Sequence, residues 1–292
     1  QAYIAGQGEA WVREYLYGQP AEEIFTVLEE GESVSLVSYY GIEDGYLLPT
    51  NALNALVDGD FTGVPAIIGA NRDEMKLFMF LLYGMGPVAY NQAMSSVYGE
   101  SASEVEALYP RRDYQGSDHF YNRFTDMADG FLETACGTGG ALWSSEHMPV
   151  WFYRFAYDGL IEPFDAQIGA GHAMELPFVF GTFTEDLYPP ETLAVRQALS
   201  TEMQNAWTCF AAGNAPDACG GRFEWPAFKA SGTGSLQRII WDEGIELGRV
   251  PQSESDKVNY WAESLGYDLG RLPMSVDPRA LRLIGEPEGL LR

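Results

Sequence analysis

The sequence predicts an α/β fold in which a mostly parallel sheet is flanked by helices, and three observations carry that expectation. Apolar residues make up 46% of the 292, enough to build a sizeable core and too many for a disordered chain. Short apolar runs bounded by turn residues alternate with longer stretches of helical pattern, and strands separated by helices pair in parallel. No repeat period, low-complexity tract or charged linker divides the chain, so residues 1–292 are expected to belong to a single domain.

Taken in order, an amphipathic helix is expected over 21–29, a turn-rich stretch over 40–49 and a short helix over 52–57. Val64-Pro65-Ala66-Ile67-Ile68-Gly69 is the first strand: a brief apolar run closed off by turn residues suits a strand buried on both faces. A helical pattern follows over 87–108. Val150-Trp151-Phe152-Tyr153-Arg154-Phe155 is the second strand, β-branched and aromatic, with Arg154 making it amphipathic. A helix is expected over 192–212. Arg238-Ile239-Ile240-Trp241 is a third strand, expected near a sheet edge, and a last helix covers 256–265. The tail 272–292, with Pro273, Pro278 and Pro287, reads as a surface extension.

Charge narrows the function classes. With 42 acidic and 17 basic residues the formal net charge is −25, and such a surface repels phosphate backbones and anionic lipid, so no nucleic-acid partner is expected. The longest apolar run, 77–90, is interrupted by Gly84, Gly86 and Pro87 and falls short of the ~18–20 residues of a spanning helix. The three cysteines are too few for a disulfide scaffold or a structural zinc site. Cys209 and Cys219 flank the turn Gly213-Asn214-Ala215-Pro216 and leave two readings open. One is a disulfide, which implies an oxidising compartment and favours a secreted or periplasmic location; the other is a pair of inert thiols. Cys136 stays unpaired in either case. No carboxylate or histidine spacing suits a metal, and no cofactor is expected.

In parallel sheets chemistry collects at the carboxyl ends of the strands. After the first strand comes Gly69-Ala70-Asn71-Arg72-Asp73-Glu74-Met75-Lys76-Leu77-Phe78, with two adjacent carboxylates before an apolar helix. The bland reading is a helix start, with Asn71 or Asp73 as the cap and the acids favouring the positive end of the helix dipole. After the second strand, Gly169-Ala170-Gly171-His172-Ala173-Met174-Glu175-Leu176-Pro177-Phe178 sets a histidine among small residues, which keep the imidazole accessible as a general base requires. A lone histidine is commonly structural. A carboxylate after one strand and a histidine after a later one, however, form the back half of a nucleophile–acid–base order. His119, in the polar turn Gly116-Ser117-Asp118-His119, and His147, just before a strand, read as surface or packing residues.

At this point the chain resembles the type-B carboxylesterases, the α/β-hydrolase group that includes the cholinesterases. Asp44-Gly45-Tyr46-Leu47-Leu48-Pro49 is similar to the family's DG-x-x-LP turn. The loop 69–74 resembles the one carrying the triad acid, which would be Glu74 rather than Asp73, and the loop 169–181 resembles the one carrying the triad histidine, His172. Trp207, Phe210-Ala211, Gly213-Asn214 and Trp225-Pro226 resemble the closing helix and WP turn. The segments follow family order over most of the chain. The resemblance implies a carboxylic-ester hydrolase with a Ser-His-Glu triad, acting on small-molecule esters without a cofactor, and it implies Leu77 and Phe78 as substrate contacts in a pocket wall just beyond the acid.

One element of that pattern is missing. The nucleophile needs G-x-S-x-G, a sharp strand-to-helix turn, and no stretch of the 292 residues fits. Gly31-Glu32-Ser33-Val34-Ser35 comes nearest, but Ser35 replaces the second glycine and the preceding 24–30 has a helical rather than a strand pattern. The glycine-rich oxyanion segment is absent as well. These residues therefore read as the C-terminal portion of an α/β-hydrolase catalytic domain. The central nucleophile strand lies outside this chain, and the N-terminal portion of the same esterase is expected as its partner. A parallel sheet without its central strands exposes apolar edges, so the portion is expected to be stable only with that partner. A different class of function fits as an alternative: a non-catalytic relative serving as an adhesion or scaffold module.

Overall fold

A computed structural model of the chain describes residues 3, 6–23, 26, 45–48, 52–83, 99–116, 119–135 and 137–264. The chain divides into two compact units, Gln1–Ala52 and Leu53–Arg292. In the first, helix α1 (Glu9–Tyr17) stacks Trp11 on Tyr15, one turn apart, with ring centroids 5.3 Å from each other. The expected helix over 21–29 falls largely outside the described residues. So do Ser33 with its flanking glycine and serine, the Asp44 and Pro49 ends of the turn motif, Cys136, and the tail 272–292.

The second unit begins in α2 (Ala52–Asp58) and runs through β1 (Ala66–Asn71), α3 (Lys76–Tyr83), α4 (Ala102–Leu108), α5 (His119–Ala135), α6 (Thr138–Ser144), β2 (Val150–Phe155), α7 (Phe164–Ile168), α8 (Leu176–Phe180), α9 (Leu193–Ala211), β3 (Gln237–Trp241), β4 (Ile245–Arg249) and α10 (Gln252–Ser264). The described strands form one sheet of order β1-β2-β3-β4. β1 and β2 are parallel with Ala66 opposite Val150 and Asn71 opposite Phe155, β2 and β3 are parallel with Phe155 opposite Trp241, and β4 returns antiparallel. β3 thus stands one strand in from the edge, in keeping with its expected place near one, and the short β4 forms the edge itself. Of the helical pattern expected over 87–108, the described part is the single-turn helix Gly99–Ser101 followed by α4.

Alternation along β2 gives the sheet two cores. Trp151, Tyr153 and Phe155 face the layer of α8 and α9, where Phe178, Leu199, Met203, Trp225 and Trp241 are buried together. Val150 and Phe152 face the opposite layer with Leu142, Trp143, Val250 and Ala262. Each large apolar side chain fully buried in this way contributes ~1.5–3 kcal/mol. The Trp225 indole N–H donates to the Phe152 carbonyl at 3.0 Å, which pins the Trp225-Pro226 turn to the middle of the sheet. Gly69 sits in β1 because the Tyr153 ring lies across it: a Cβ there would fall 2.3 Å from the ring.

A third cluster packs α5 against α3, α4 and α10 through Tyr109, Tyr121, Phe124, Met127, Tyr260 and Trp261. Phe120, Phe124, Met127 and Phe131 recur along this helix at helical spacing, a signal the sequence carries although no helix is expected there above. Its first residue is His119, which stands at a helix start rather than in a turn, its Nδ1 2.9 Å from the Gly116 carbonyl. Buried ions hold α5 and α10 to the sheet: Arg154 pairs with Glu133 and, at 3.2 Å, with Glu254, which Arg238 clasps through two bonds of 2.6 and 2.9 Å.

Cys209, at the end of α9, is joined to Cys219 by a disulfide, which decides between the two readings left open by the sequence. It closes a ten-residue separation, and closing a loop of that size removes unfolded-chain entropy equivalent to ~2–3 kcal/mol. Cys209→Ser is expected to lower stability by that amount in urea unfolding under non-reducing conditions, and the loss should vanish when the wild type is measured in reductant.

Candidate active site

β1 and β2 end side by side, and the loops that follow them meet. Beyond the paired strands the Arg72 amide still donates to the Phe155 carbonyl at 2.8 Å, and Asp73 forms an isolated parallel bridge with Gly171. This brings Glu74 and His172, 98 residues apart, to a Glu74 Oε2–His172 Nδ1 distance of 2.8 Å. A carboxylate can only accept, so Nδ1 carries the proton, and in the neutral imidazole the lone pair is then on Nε2. No described residue hydrogen-bonds that Nε2. The imidazole side chain is 54% exposed against 15% for Glu74: the acid is sheltered while the ring faces outward. Ala173, next to it, adopts φ 65°, a left-handed conformation that a non-glycine residue holds only when its surroundings fix it.

Glu74 is held from both sides. Its Oε1 accepts the Asn71 backbone N–H at 2.8 Å, while Oε2 accepts His172. Burial pushes its carboxyl above the ordinary 4.5; the bonds from Asn71 and His172 oppose the rise and the nearby Glu175 adds to it. The Asn71 side chain, buried, donates to the Gly171 carbonyl at 2.7 Å and to Glu175 Oε2 at 2.5 Å. One residue at the end of β1 thereby fixes the acid through its backbone and the histidine loop through its amide. Neither Asn71 nor Asp73 caps α3, contrary to the bland reading. The Met75 N–H goes instead to the Asp129 carboxylate of α5 at 2.6 Å, a fully buried group whose pKa burial raises well above its ordinary value.

Phe78, on the first turn of α3, packs on His172 with ring centroids 5.2 Å apart. Leu77 is half-buried beside it. Beyond the histidine, α8 is anchored by the buried Phe178, whose carbonyl accepts the Ser200 hydroxyl at 2.7 Å, while Leu176 and Phe180 are 44% and 68% exposed. His147 bonds the Val57 carbonyl at 2.9 Å and His119 stacks on Phe120; neither joins the site. The sequence offers Asn71 only as a helix cap and gives Glu175 no role, since an amide or a second acid signals nothing more until the strands that carry it are paired. Among the described residues no group of three or more His, Cys, Asp or Glu is placed to hold a metal ion, and no helix is long and apolar enough to cross a membrane.

The model of the carboxylesterase family matches residues 5–240, and the chain belongs to that family. It is 29% identical over 231 residues to the para-nitrobenzyl esterase of Bacillus subtilis (strain 168), a match covering 78% of this chain and 44% of that protein. It is 27% identical over 202 residues to the fumonisin B1 esterase of Sphingopyxis macrogoltabida, covering 65% and 35%. A solved PNB esterase superposes with TM-score 0.60 at 25% identity over 84% of this chain and 49% of that one. The Geobacillus stearothermophilus carboxylesterase EST55 superposes with TM-score 0.62 at 23% identity, over 84% and 50%. The fold is that of the α/β-hydrolase carboxylesterases, and the chain spans about half the length of the relatives it matches.

Proposed function

We propose that the chain supplies the acid and base of a Ser-His-Glu carboxylic-ester hydrolase, and that a segment outside these 292 residues supplies the serine and the oxyanion hole. The observation that carries this reading is the 2.8 Å bond from His172 Nδ1 to a sheltered Glu74, leaving Nε2 open to solvent. Such an imidazole is poised to take a proton from a hydroxyl brought in from outside. The edge of β1 supports the second half of the proposal. Among the described residues β1 pairs only with β2, and Val64 just before it is 58% exposed, whereas apolar parallel strands belong inside sheets. On this reading residues 1–292 form the C-terminal portion of one catalytic domain.

The chemistry is acyl transfer. The serine attacks the ester carbonyl as His172 Nε2 takes its proton, and the imidazolium returns that proton to the leaving alcohol. Backbone N–H groups of the same outside segment hold the oxyanion, each donor lowering the barrier by ~3–4 kcal/mol. Water then repeats the sequence on the acyl-enzyme. Glu74 stays charged and orients the ring. Phe78 and Leu77 form part of the pocket wall, Phe78 through its contact with His172. An ester with a nitroaromatic leaving group is a natural first substrate, since one relative is named a para-nitrobenzyl esterase. The test is hydrolysis of p-nitrophenyl acetate by the complete esterase, meaning this chain together with its serine-bearing portion. Turnover is expected; its absence in a folded protein would favour a binding module of the same fold.

A further inference from the structure

The geometry points to Asp73, the neighbour of the proposed triad acid, as a second positioning residue of this site beside Asn71: its carboxylate latches the His172 loop to the Glu74 loop. The two loops are joined at this position by a pair of bonds. The Asp73 N–H donates to the Ala170 carbonyl at 3.0 Å, and the Ala170 N–H donates to Asp73 Oδ2, also at 3.0 Å. Residue 170 lies two positions before His172, as Asp73 lies one before Glu74, so whatever fixes 73 to 170 sets the separation of the acid and the imidazole.

The carboxylate is itself held. Arg72 donates to Oδ2 at 2.8 and 3.1 Å and also to Asp158 at 2.6 Å, while Lys76 reaches Oδ1 at 3.2 Å. Burial works against the charge of Asp73, yet Lys76 and Arg72 hold its carboxyl below the ordinary 3.8. The glycine before Ala170 fits the same device. Gly169 has φ 54°, and a Cβ there would fall 2.7 Å from Asp73 Oδ2, so the loop can close on the carboxylate only with glycine at that position. A buried tyrosine of α5 supports the latch from behind: the Tyr121 hydroxyl lies 2.6 Å from the Lys76 carbonyl and 2.7 Å from that of Gln167, tying α3 to α7. His172 is more than half exposed, and its surroundings on the solvent side restrain it little. A bond of 2.8 Å to Glu74 is maintained there because the loop root is fixed.

The test removes the latch and leaves the acid and base in place. It rests on the esterase reading only for its activity readout, and it is made in the complete esterase. In Asp73→Ala, hydrogen exchange across the peptide 165–175 is expected to accelerate at least ~10-fold. kcat for p-nitrophenyl acetate should fall ~10- to 100-fold with KM within about twofold, as for a misplaced catalytic group, and the acid limb of the kcat/KM pH profile should move. Asp73→Asn, which keeps one oxygen for the Ala170 N–H, should recover part of each effect. Should Asp73→Ala not fold, Gly169→Ala opposes the same contact from the other loop and is expected to reproduce the exchange and kcat changes. Unchanged exchange in 165–175 would overturn the proposal. So would faster exchange with kcat and pH profile untouched, which is the behaviour of a merely structural contact. Absence of turnover in the wild type would count against the esterase reading instead, while the exchange result would still decide the latch.

Discussion

His172→Ala in the complete esterase is expected to lower kcat for p-nitrophenyl acetate by ~10⁴- to 10⁶-fold, the range in which a triad base acts as a unit with its nucleophile. The serine then keeps its proton, and the leaving alcohol is expelled without one. Only the oxyanion donors and substrate binding remain, so a residual rate above the uncatalysed one should survive. The fold should survive with at most a modest loss of stability, because the imidazole is more than half exposed and, among the described residues, makes one ring contact, to Phe78, and one hydrogen bond, to Glu74. Steady-state kinetics beside a thermal melt check both halves. A variant that turns over at near wild-type rate would mean that Nε2 is not the base.

Glu74→Gln is expected to cost ~10²- to 10⁴-fold in kcat, less than loss of the histidine itself. A carboxamide can accept the Nδ1–H, or it can accept the Asn71 N–H, but its NH₂ must then face the other donor. It also cannot stabilise the imidazolium by charge. The same substitution has a distinct signature in stability. The Glu74 carboxyl is raised above 4.5, chiefly by burial, so the folded state binds its proton more tightly than the unfolded chain does. Its contribution to stability is therefore complete below about pH 4.5 and is lost as pH rises through the raised value. Glutamine does not titrate. Urea unfolding across a pH series should show the wild type losing stability relative to Glu74→Gln as pH rises through that window, and the opposite slope would refute the burial argument.

Much of this architecture was legible in the sequence because the physics behind it is local. β1 and β2 are short apolar runs closed by turn residues, and α9 and α10 follow helical periodicity. The elements missed were those whose determinants are distant. α5 is the exception: Phe120, Phe124, Met127 and Phe131 recur at helical spacing, so its apolar stripe stands in the sequence, and what the sequence hides is that Arg123, Asp129 and Glu133 are buried beside that stripe with partners on other elements. β4 is half-exposed, with Gly248 inside it, and exists as a strand because β3 lies beside it. The candidate site divides in the same way. Glu74 and His172 stand in recognisable loops. Asn71, Glu175 and Asp73 acquire their roles only when two loops almost a hundred residues apart are brought within hydrogen-bond distance.

A covalent label locates the hydroxyl most directly. The complete esterase would be treated with a fluorophosphonate, digested, and the modified peptide sequenced. A single adduct is expected on a serine flanked by glycines that lies outside Gln1–Arg292, with labelling abolished in His172→Ala. An adduct on a serine within these 292 residues, or labelling indifferent to His172, would contradict a site assembled from an acid and base here and a nucleophile supplied from elsewhere.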